Sequence, residues 1–249
     1  KDSCVNQAMT KNGEFENETY RVQYGPGGIA SIVYKAEGEE LLDKNAPALG
    51  APVYQIFPNG ERGDAAGFGY SPRVKPPMEI HDPELLSFEM VERGEVFTHL
   101  KAAWRIKGAA EAITHYYFYT GVPKIMVTAE IAKDLVRDPE GMYVCLPFRA
   151  EGGEWVLDKA GAFFKPGEQL PDGCCDYYSV NRGMVLEGDR TGIAVNTLDS
   201  PMIMINGLKL WDYTKTADTS GPVYSWLSNN KWETNFRTQC AGYLESRYI

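Results

Sequence analysis

The stretch from Ile113 to Tyr119 reads ITHYYFY, and its side chains alternate strictly between two sides of an extended chain. One side carries Ile113, His115, Tyr117 and Tyr119, and the other side carries Thr114, Tyr116 and Phe118. A period of two, in a run rich in aromatic and β-branched residues, is typical of a β-strand. The stretch therefore predicts a strand with two different faces.

Strand-length runs surround this stretch and are separated by turns that contain Gly or Pro. The four runs are Leu85 to Val91, Val96 to Ile106, Ile113 to Tyr119 and Lys124 to Ala132. The last places Ile125, Val127, Ala129 and Ile131 on one apolar face. These runs predict four strands in meander order.

Strand patterns also extend over the rest of the chain. Thr19 to Tyr24 and Ile29 to Lys35 alternate around the turn Gly25-Pro26-Gly27-Gly28, which predicts a β-hairpin. Further strands are predicted at Met142 to Phe148, Trp155 to Leu157, Tyr177 to Glu187, Gly192 to Thr197, Met202 to Leu210 and Val223 to Ser228, with Gly188 to Thr191 as a hairpin turn. No amphipathic helix of three turns is evident. Since strands without helices must bury their apolar faces against another sheet, the predicted fold is an all-β, large antiparallel sandwich.

One long segment shows no sustained period of either kind. Ala46 to Pro83 is dense in Gly and Pro, above all from Gly60 to Gly69 and at Pro76-Pro77. We interpret it as a long excursion between strands, a type of segment that often carries function.

Composition limits the possible partners. The 249 residues carry a formal net charge of −9, so phosphate backbones and anionic membrane surfaces are repelled at long range. No apolar run approaches the roughly 20 residues that a membrane-spanning helix needs. We therefore expect no nucleic acid and no membrane among the partners.

The first residues and the cysteines give two further expectations. Residues 1–17 are polar and irregular, so we predict a linker or ragged N-terminus there, followed by a single sandwich domain over residues 18–249. The five cysteines are odd in number and lack metal-ligand spacing, and the adjacent Cys174 and Cys175 suit an ordinary structural disulfide poorly. Free thiols favour a reducing compartment, so the expected location is cytoplasmic.

Catalytic and metal-binding motifs are weak. His81, His99 and His115 lie in different predicted strands or loops without ligand spacing, so we expect no metal site in this chain. His115 among tyrosines is expected to be a packed, hydrogen-bonded histidine. Carboxylates are plentiful, but the sequence brings no particular two of them together as a glycosidase pair.

The segment that stands out chemically is Ser225 to Arg237, which reads SWLSNNKWETNFR. Amide and guanidinium groups donate directional hydrogen bonds to hydroxyls, and an indole face covers the apolar side of a sugar ring. We therefore take Asn229, Asn230, Trp232 and Asn235 as candidate carbohydrate-binding residues. A structural alternative has the two asparagines in a turn and Trp232 with Phe236 in the core, and residue chemistry alone favours this alternative.

Several motifs together resemble the C-terminal β-sandwich region of glycoside hydrolase family 38, the α-mannosidases. They are the opening ENETYRV of residues 16–22 with GIASI of 28–32 and EELLD of 39–43, the strand MYVCLPF of 142–148, the pair YSVNRG of 178–183 and GIAV of 192–195, and SNNKWETNF of 228–236. Their order and spacing extend over scattered parts of nearly the whole chain.

This resemblance implies a β-supersandwich of the galactose-mutarotase-like kind and an accessory, carbohydrate-associated role. In that family, zinc and the aspartate nucleophile belong to an N-terminal catalytic region, which this chain lacks. The expected partners are therefore that region of the same parent chain and carbohydrate, with no catalytic residue and no cofactor in this chain itself.

Two alternatives of a different class stay open at this point. An aldose-epimerase-like enzyme could share the sandwich, and His115 could serve in it only if a carboxylate lies opposite in a cleft. A polysaccharide-lyase-like enzyme that relies on Tyr with Asn or His is the other.

Overall fold

The computed structural model of the chain describes residues 13–58, 77–231 and 239–249. Every regular element in these ranges is a β-strand, which confirms the all-β prediction. The first ten strands are β1 (Gly13–Glu16), β2 (Tyr20–Gly25), β3 (Gly28–Tyr34), β4 (Glu39–Glu40), β5 (Pro52–Ile56), β6 (Glu79–His81), β7 (Glu84–Arg93), β8 (Phe97–Arg105), β9 (Ala109–Tyr119) and β10 (Ile125–Lys133). The others are β11 (Glu140–Leu146), β12 (Glu154–Lys159), β13 (Ala162–Phe164), β14 (Tyr178–Ser179), β15 (Gly183–Glu187), β16 (Gly192–Asn196), β17 (Met202–Ile205), β18 (Val223–Asn229) and β19 (Gly242–Tyr248).

These strands form four antiparallel sheets within the described ranges. The largest two have the orders β14-β17-β18-β11-β5-β6 and β19-β10-β9-β8-β7. Two four-stranded sheets, β1-β2-β3-β4 and β13-β12-β15-β16, accompany them. The main apolar core takes side chains from all four sheets, as an antiparallel sandwich requires.

The five-stranded sheet contains the predicted meander β7-β8-β9-β10. Tyr116 and Phe118 of β9 are fully buried, whereas His115 and Tyr117 on the opposite face are partly exposed. The face predicted for β10 is also apolar and enters the core, with Val127, Ala129 and Ile131 buried. The alternation read from the sequence is confirmed here because one face of this sheet meets the core and the other does not.

The six-stranded sheet is covered on both faces at its centre. Every residue of β11 is buried. Met142 and Val144 enter the main core, whereas Tyr143 and Cys145 enter a second apolar cluster on the other side. The face that bears this second cluster is called the outer face below.

The prediction of a long segment without strands is wrong in part. Ala46 to Pro83 contains β5, which pairs with β11 in the middle of the six-stranded sheet, and β6, which pairs with β5. All five residues of β5 are buried, so its sequence PVYQI shows no alternation of apolar and polar residues. The Gly-rich part, residues 59–76, lies outside the described residues.

The N-terminal boundary also differs from the prediction. β1 lies within the expected linker of residues 1–17 and pairs with β2 in register from Gly13 with Tyr24 to Glu16 with Arg21. Its Phe15 is buried in the main core and packs edge-on against Phe118, with ring centroids 4.9 Å apart. A single aromatic residue in a polar stretch anchors this strand.

Two predicted strands are shorter than their apolar runs. Tyr177 to Glu187 divides into β14 and β15, which belong to different sheets. Met202 to Leu210 ends as a strand at Ile205, because Asn206 and Gly207 adopt positive φ angles of 54° and 107° that turn the chain. The apolar residues that follow cover the outer face instead.

Candidate functional site

The outer face of the six-stranded sheet combines aromatic rings with buried polar groups. Its apolar cluster consists of Val53, Phe57, Tyr143, Cys145, Met204, Leu208, Leu210, Trp211 and Trp226. β5, β11, β17 and β18 supply the sheet residues, and the segment after β17 folds back over them. We call this set the outer-face cluster.

Lys231 is the central polar residue of this face. Its side chain is fully buried, and its ammonium group donates hydrogen bonds to the side-chain oxygen of Gln55 and, at 2.8 Å, to the hydroxyl of Tyr143. The Tyr143 hydroxyl in turn donates to the same Gln55 oxygen at 2.9 Å. Burial raises the pKa of Tyr143 well above its ordinary value, so the phenol keeps its proton at neutral pH.

Three aromatic rings surround the same ammonium group. The Lys231 nitrogen lies 4.9 Å from the ring centroid of Trp226, 5.3 Å from that of Phe57 and 5.4 Å from that of Tyr143. Such contacts stabilise a desolvated cation through the negative faces of the rings. The ammonium group is thus held inside the outer-face cluster by an amide oxygen, a phenol and three aromatic rings.

A strained loop covers one side of the cluster. Trp211 and Tyr213 have positive φ angles of 61° and 53°, and the Trp211 ring lies 4.8 Å from the ring of Phe57. The buried carboxylate of Asp176 accepts hydrogen bonds from the backbone N–H groups of Asp212, Tyr213 and Thr214, at 3.1, 2.9 and 2.9 Å. Asp176 therefore holds the loop in a conformation that non-glycine residues rarely adopt.

The predicted sugar-binding residues are placed differently from one another. Asn229 is partly exposed at the end of β18, and its side-chain oxygen accepts a hydrogen bond from the backbone N–H of Lys231 at 3.4 Å. Asn230 is 3% exposed; its side chain accepts from the backbone N–H of Glu140 at 2.8 Å and donates to the carbonyls of Val136 and Asp138 at 3.2 Å each. Trp232 and Asn235 lie outside the described residues.

Asn230 connects to a buried ion pair that the sequence reasoning missed. The ammonium of Lys133 contacts the carboxylate of Glu140, and the two side chains are 0% and 1% exposed. The Tyr54 hydroxyl donates to the other oxygen of the Glu140 carboxylate at 2.5 Å. Burial is the largest cause that raises the pKa of Tyr54, and the hydrogen bond to Glu140 is the next largest. The phenol therefore keeps its proton and stays a donor.

A second polar cluster lies on the exposed face of the five-stranded sheet. His99 and His115, expected to be dispersed, meet there with their ring nitrogens 2.9 Å apart. His115 lies 3.8 Å from a carboxylate oxygen of Glu130, and the Tyr117 ring stacks on His99 at 4.4 Å. Burial lowers the pKa of both histidines. The expectation of dispersal was wrong because antiparallel pairing of β8 with β9 makes these residues diagonal neighbours.

In the part of the chain that the structure describes, no group of three or more His, Cys, Asp and Glu side chains is arranged to hold a metal ion. Cys145, Cys174, Cys175 and Cys240 are free thiols, and burial raises the pKa of Cys145 well above its ordinary value. No helix of the described part is long and apolar enough to cross a membrane.

Fold and site together define an all-β, antiparallel sandwich with a polar, aromatic outer face. The whole chain is similar in fold to part of an α-mannosidase from Enterococcus faecalis V583, with a TM-score of 0.64 and 11% sequence identity. The chain spans 30% of the length of that enzyme. A galactose mutarotase-like protein from Lactobacillus casei ATCC 334 is similar at a TM-score of 0.49 and 11% identity, over 95% of this chain and 98% of that one. No protein-family model and no curated protein matches this chain in sequence.

Proposed function

We propose that this chain is the accessory β-sandwich part of an α-mannosidase-type glycoside hydrolase of the family 38 kind, associated with carbohydrate and without hydrolytic activity of its own. The observation that carries the proposal is the similarity of the full chain to 30% of one α-mannosidase. The motifs of the hairpin, the central strand and the SNNKWETNF segment support the same assignment.

In this proposal the outer face looks toward a catalytic region in the parent protein. The polar side chains Lys231, Gln55 and Tyr143 hydrogen-bond one another in the interior beneath that face, where they hold the end of β18 from which the candidate sugar-binding segment continues. Retaining glycoside hydrolysis requires two carboxyl groups about 5 Å apart, which this buried group does not include. Nucleophile, acid and any zinc ion would belong to the catalytic region, and this chain would add contacts at the rim of the sugar site.

A hydrolysis assay tests the absence of independent activity. The purified chain is incubated with 4-nitrophenyl α-D-mannopyranoside, with and without added zinc. The proposal predicts nitrophenol release at the rate of the buffer blank in both cases. Release that scales with protein concentration and survives repeated purification would overturn it.

One observation favours a second candidate function, an aldose-epimerase-like enzyme. Glu130, His115 and His99 form a chain of potential proton carriers on the exposed face of the five-stranded sheet. A neutral His115 with its Nε2 proton directed toward Glu130 accepts a hydrogen bond at Nδ1 from the Nε2–H of His99, which leaves Nδ1 of His99 as a base. Polarimetry of freshly dissolved α-D-glucose decides this candidate: an accelerated optical change, lost in His99→Asn and His115→Asn, would establish it.

A further inference from the structure

A groove of about 580 Å³ runs along β16. All of β16, from Gly192 to Asn196, lines one wall. The other walls are mostly apolar, with Leu41, Ile125, Val127, Leu146 and Phe148, and they also carry the charged residues Glu37, Lys124 and Arg190. The end of the chain, at Tyr248 and Ile249, lies at the same groove.

β16 is paired on only part of its length. On one side it pairs with β15 along all five residues. On the other side Asn196 and Ile249 exchange two backbone hydrogen bonds, of 2.7 and 3.1 Å, and Thr197 bridges to Tyr248 in antiparallel orientation. The end of β19 thus begins an antiparallel ladder on the second edge of β16.

The remaining backbone groups of that edge face the groove. In an antiparallel ladder, the N–H and C=O of one residue point to the same side, and successive residues alternate. The backbone N–H and C=O of Asn196 point toward Ile249. The backbone N–H and C=O of Ala194 and of Gly192 therefore point to the same edge of β16. Among the described residues, no turn or loop backbone bonds to them from the groove side. An open strand edge of this kind is a template for another strand.

We propose that this groove is the seat of an extended polypeptide strand that continues the line of β19 and runs antiparallel to β16. Its hydrogen-bonded partners are Ala194 and then Gly192. A small apolar molecule could fill the floor of the groove but would leave this backbone row unpaired, whereas a strand satisfies both.

The register also specifies the side chains of that strand. Tyr248 is buried and Ile249 is partly exposed, so residues beyond Ile249 would point alternately inward and outward. The first and third residues beyond Ile249 fall opposite Val195 and Ile193, which face the core. Their side chains would therefore lie on the apolar floor of the groove. The strand therefore carries apolar residues at its first and third positions and tolerates polar residues at the second and fourth.

Two C-terminal extensions of identical composition test this proposal. One appends Val-Thr-Val-Thr after Ile249, and the other appends Thr-Val-Thr-Val. The first is expected to raise the melting temperature above that of the unextended chain and to slow amide hydrogen exchange at Ala194 and Gly192 by about tenfold or more. The second, which directs threonine onto the apolar floor, is expected to do neither. Equal melting temperatures and equal exchange in the two extended proteins would overturn the proposal.

A third variant checks the backbone pairing itself. Ala194→Pro removes the N–H that faces the groove and leaves untouched the N–H groups that pair with β15, a placement that edge strands tolerate. It should abolish the difference between the two extensions, and a difference that persists in it would contradict pairing at Ala194. Concentration-dependent dimers of the unextended chain, with Ala194 and Gly192 protected, would assign the groove to a second copy and also overturn the proposal.

Discussion

The side-chain oxygen of Asn230 accepts a hydrogen bond of 2.8 Å from the backbone N–H of Glu140, a residue 90 positions away in the sequence. The Asn230 amide nitrogen donates to two carbonyls of the segment that leads into β11. The side chain therefore connects the end of β18 to the start of β11, beside the buried Lys133–Glu140 pair. In this structure one of the four candidate sugar ligands has a clear architectural contact.

Replacing Asn230 with Ala is expected to destabilise the chain by about 1–3 kcal/mol, because the Glu140 N–H and two carbonyls lose buried partners. Urea denaturation followed by tryptophan fluorescence measures this change. Asn229→Ala is the matched control, since Asn229 is only partly buried, and should change the free energy of unfolding by no more than about 0.5 kcal/mol. Equal losses in the two variants would contradict the architectural role of Asn230.

The buried ion pair predicts a smaller loss of stability for the double variant than for either single variant. Glu140→Gln or Lys133→Met alone leaves one charge buried without its partner, which should cost about 3–5 kcal/mol. The double variant removes both charges, and the amide oxygen introduced by Glu140→Gln can still accept from Tyr54. It should be more stable than either single variant, as a double-mutant cycle in urea will show. Additive losses would mean that the two charges do not interact.

Asp176 provides a test of the strained loop over the outer face. Asp176→Asn removes the charge and one of the two acceptor oxygens that hold the Asp212–Thr214 backbone, so the loop should open more often. Limited trypsin digestion should then cut faster after the flanking Lys209 and Lys215. Asp172→Asn, at an exposed position in the preceding turn, is the control. Unchanged cleavage in Asp176→Asn would show that Asp176 does not restrain the loop.

The histidine pair predicts a loss of stability in mild acid. Burial lowers the pKa of His99 and His115 below the ordinary value of 6.5, against opposing effects of Glu89 and Glu92 at His99 and of Glu89 and Glu130 at His115. Because the unfolded chain then binds protons more readily than the folded chain, stability is complete above the unfolded pKa and falls as pH drops from that value toward the folded pKa.

The melting temperature should therefore decrease between about pH 7.5 and 5, and the decrease should be smaller in the double variant His99→Gln, His115→Gln. His81→Gln, on a strand of the other large sheet, serves as the control. If the double variant and the native chain lose stability equally over this range, the histidine pair does not cause the acid sensitivity.

The sequence predicts the parts of this fold in which one strand face is buried and the other is not. The hairpin β2-β3 and the meander β7-β8-β9-β10 follow directly from their alternation. β5 escapes prediction because all its residues are buried, so that its pattern is continuous rather than alternating. β19 reads GYLESRY, and its exposed charged residues Glu245 and Arg247 hide its strand character.

The candidate site was harder to predict because its members come from distant segments. Gln55 and Lys231 are 176 positions apart, and each looks like an ordinary surface residue in its local sequence. The segment that begins at Ser225 contains Lys231, but its candidate tryptophan is Trp232, whereas the tryptophan ring that contacts the Lys231 ammonium is that of Trp226. The pairing of His99 with His115 depends on the register of β8 with β9, which alternation alone does not specify.

The most direct test of the central claim is an ¹H–¹⁵N NMR titration of the chain with methyl α-D-mannopyranoside. We expect weak binding, with a Kd in the millimolar range, and chemical-shift changes at the Asn229 side-chain amide and in the outer-face cluster. Chemical-shift changes centred instead on His99 and His115, or the absence of any saturable chemical-shift change, would contradict a carbohydrate-associated outer face.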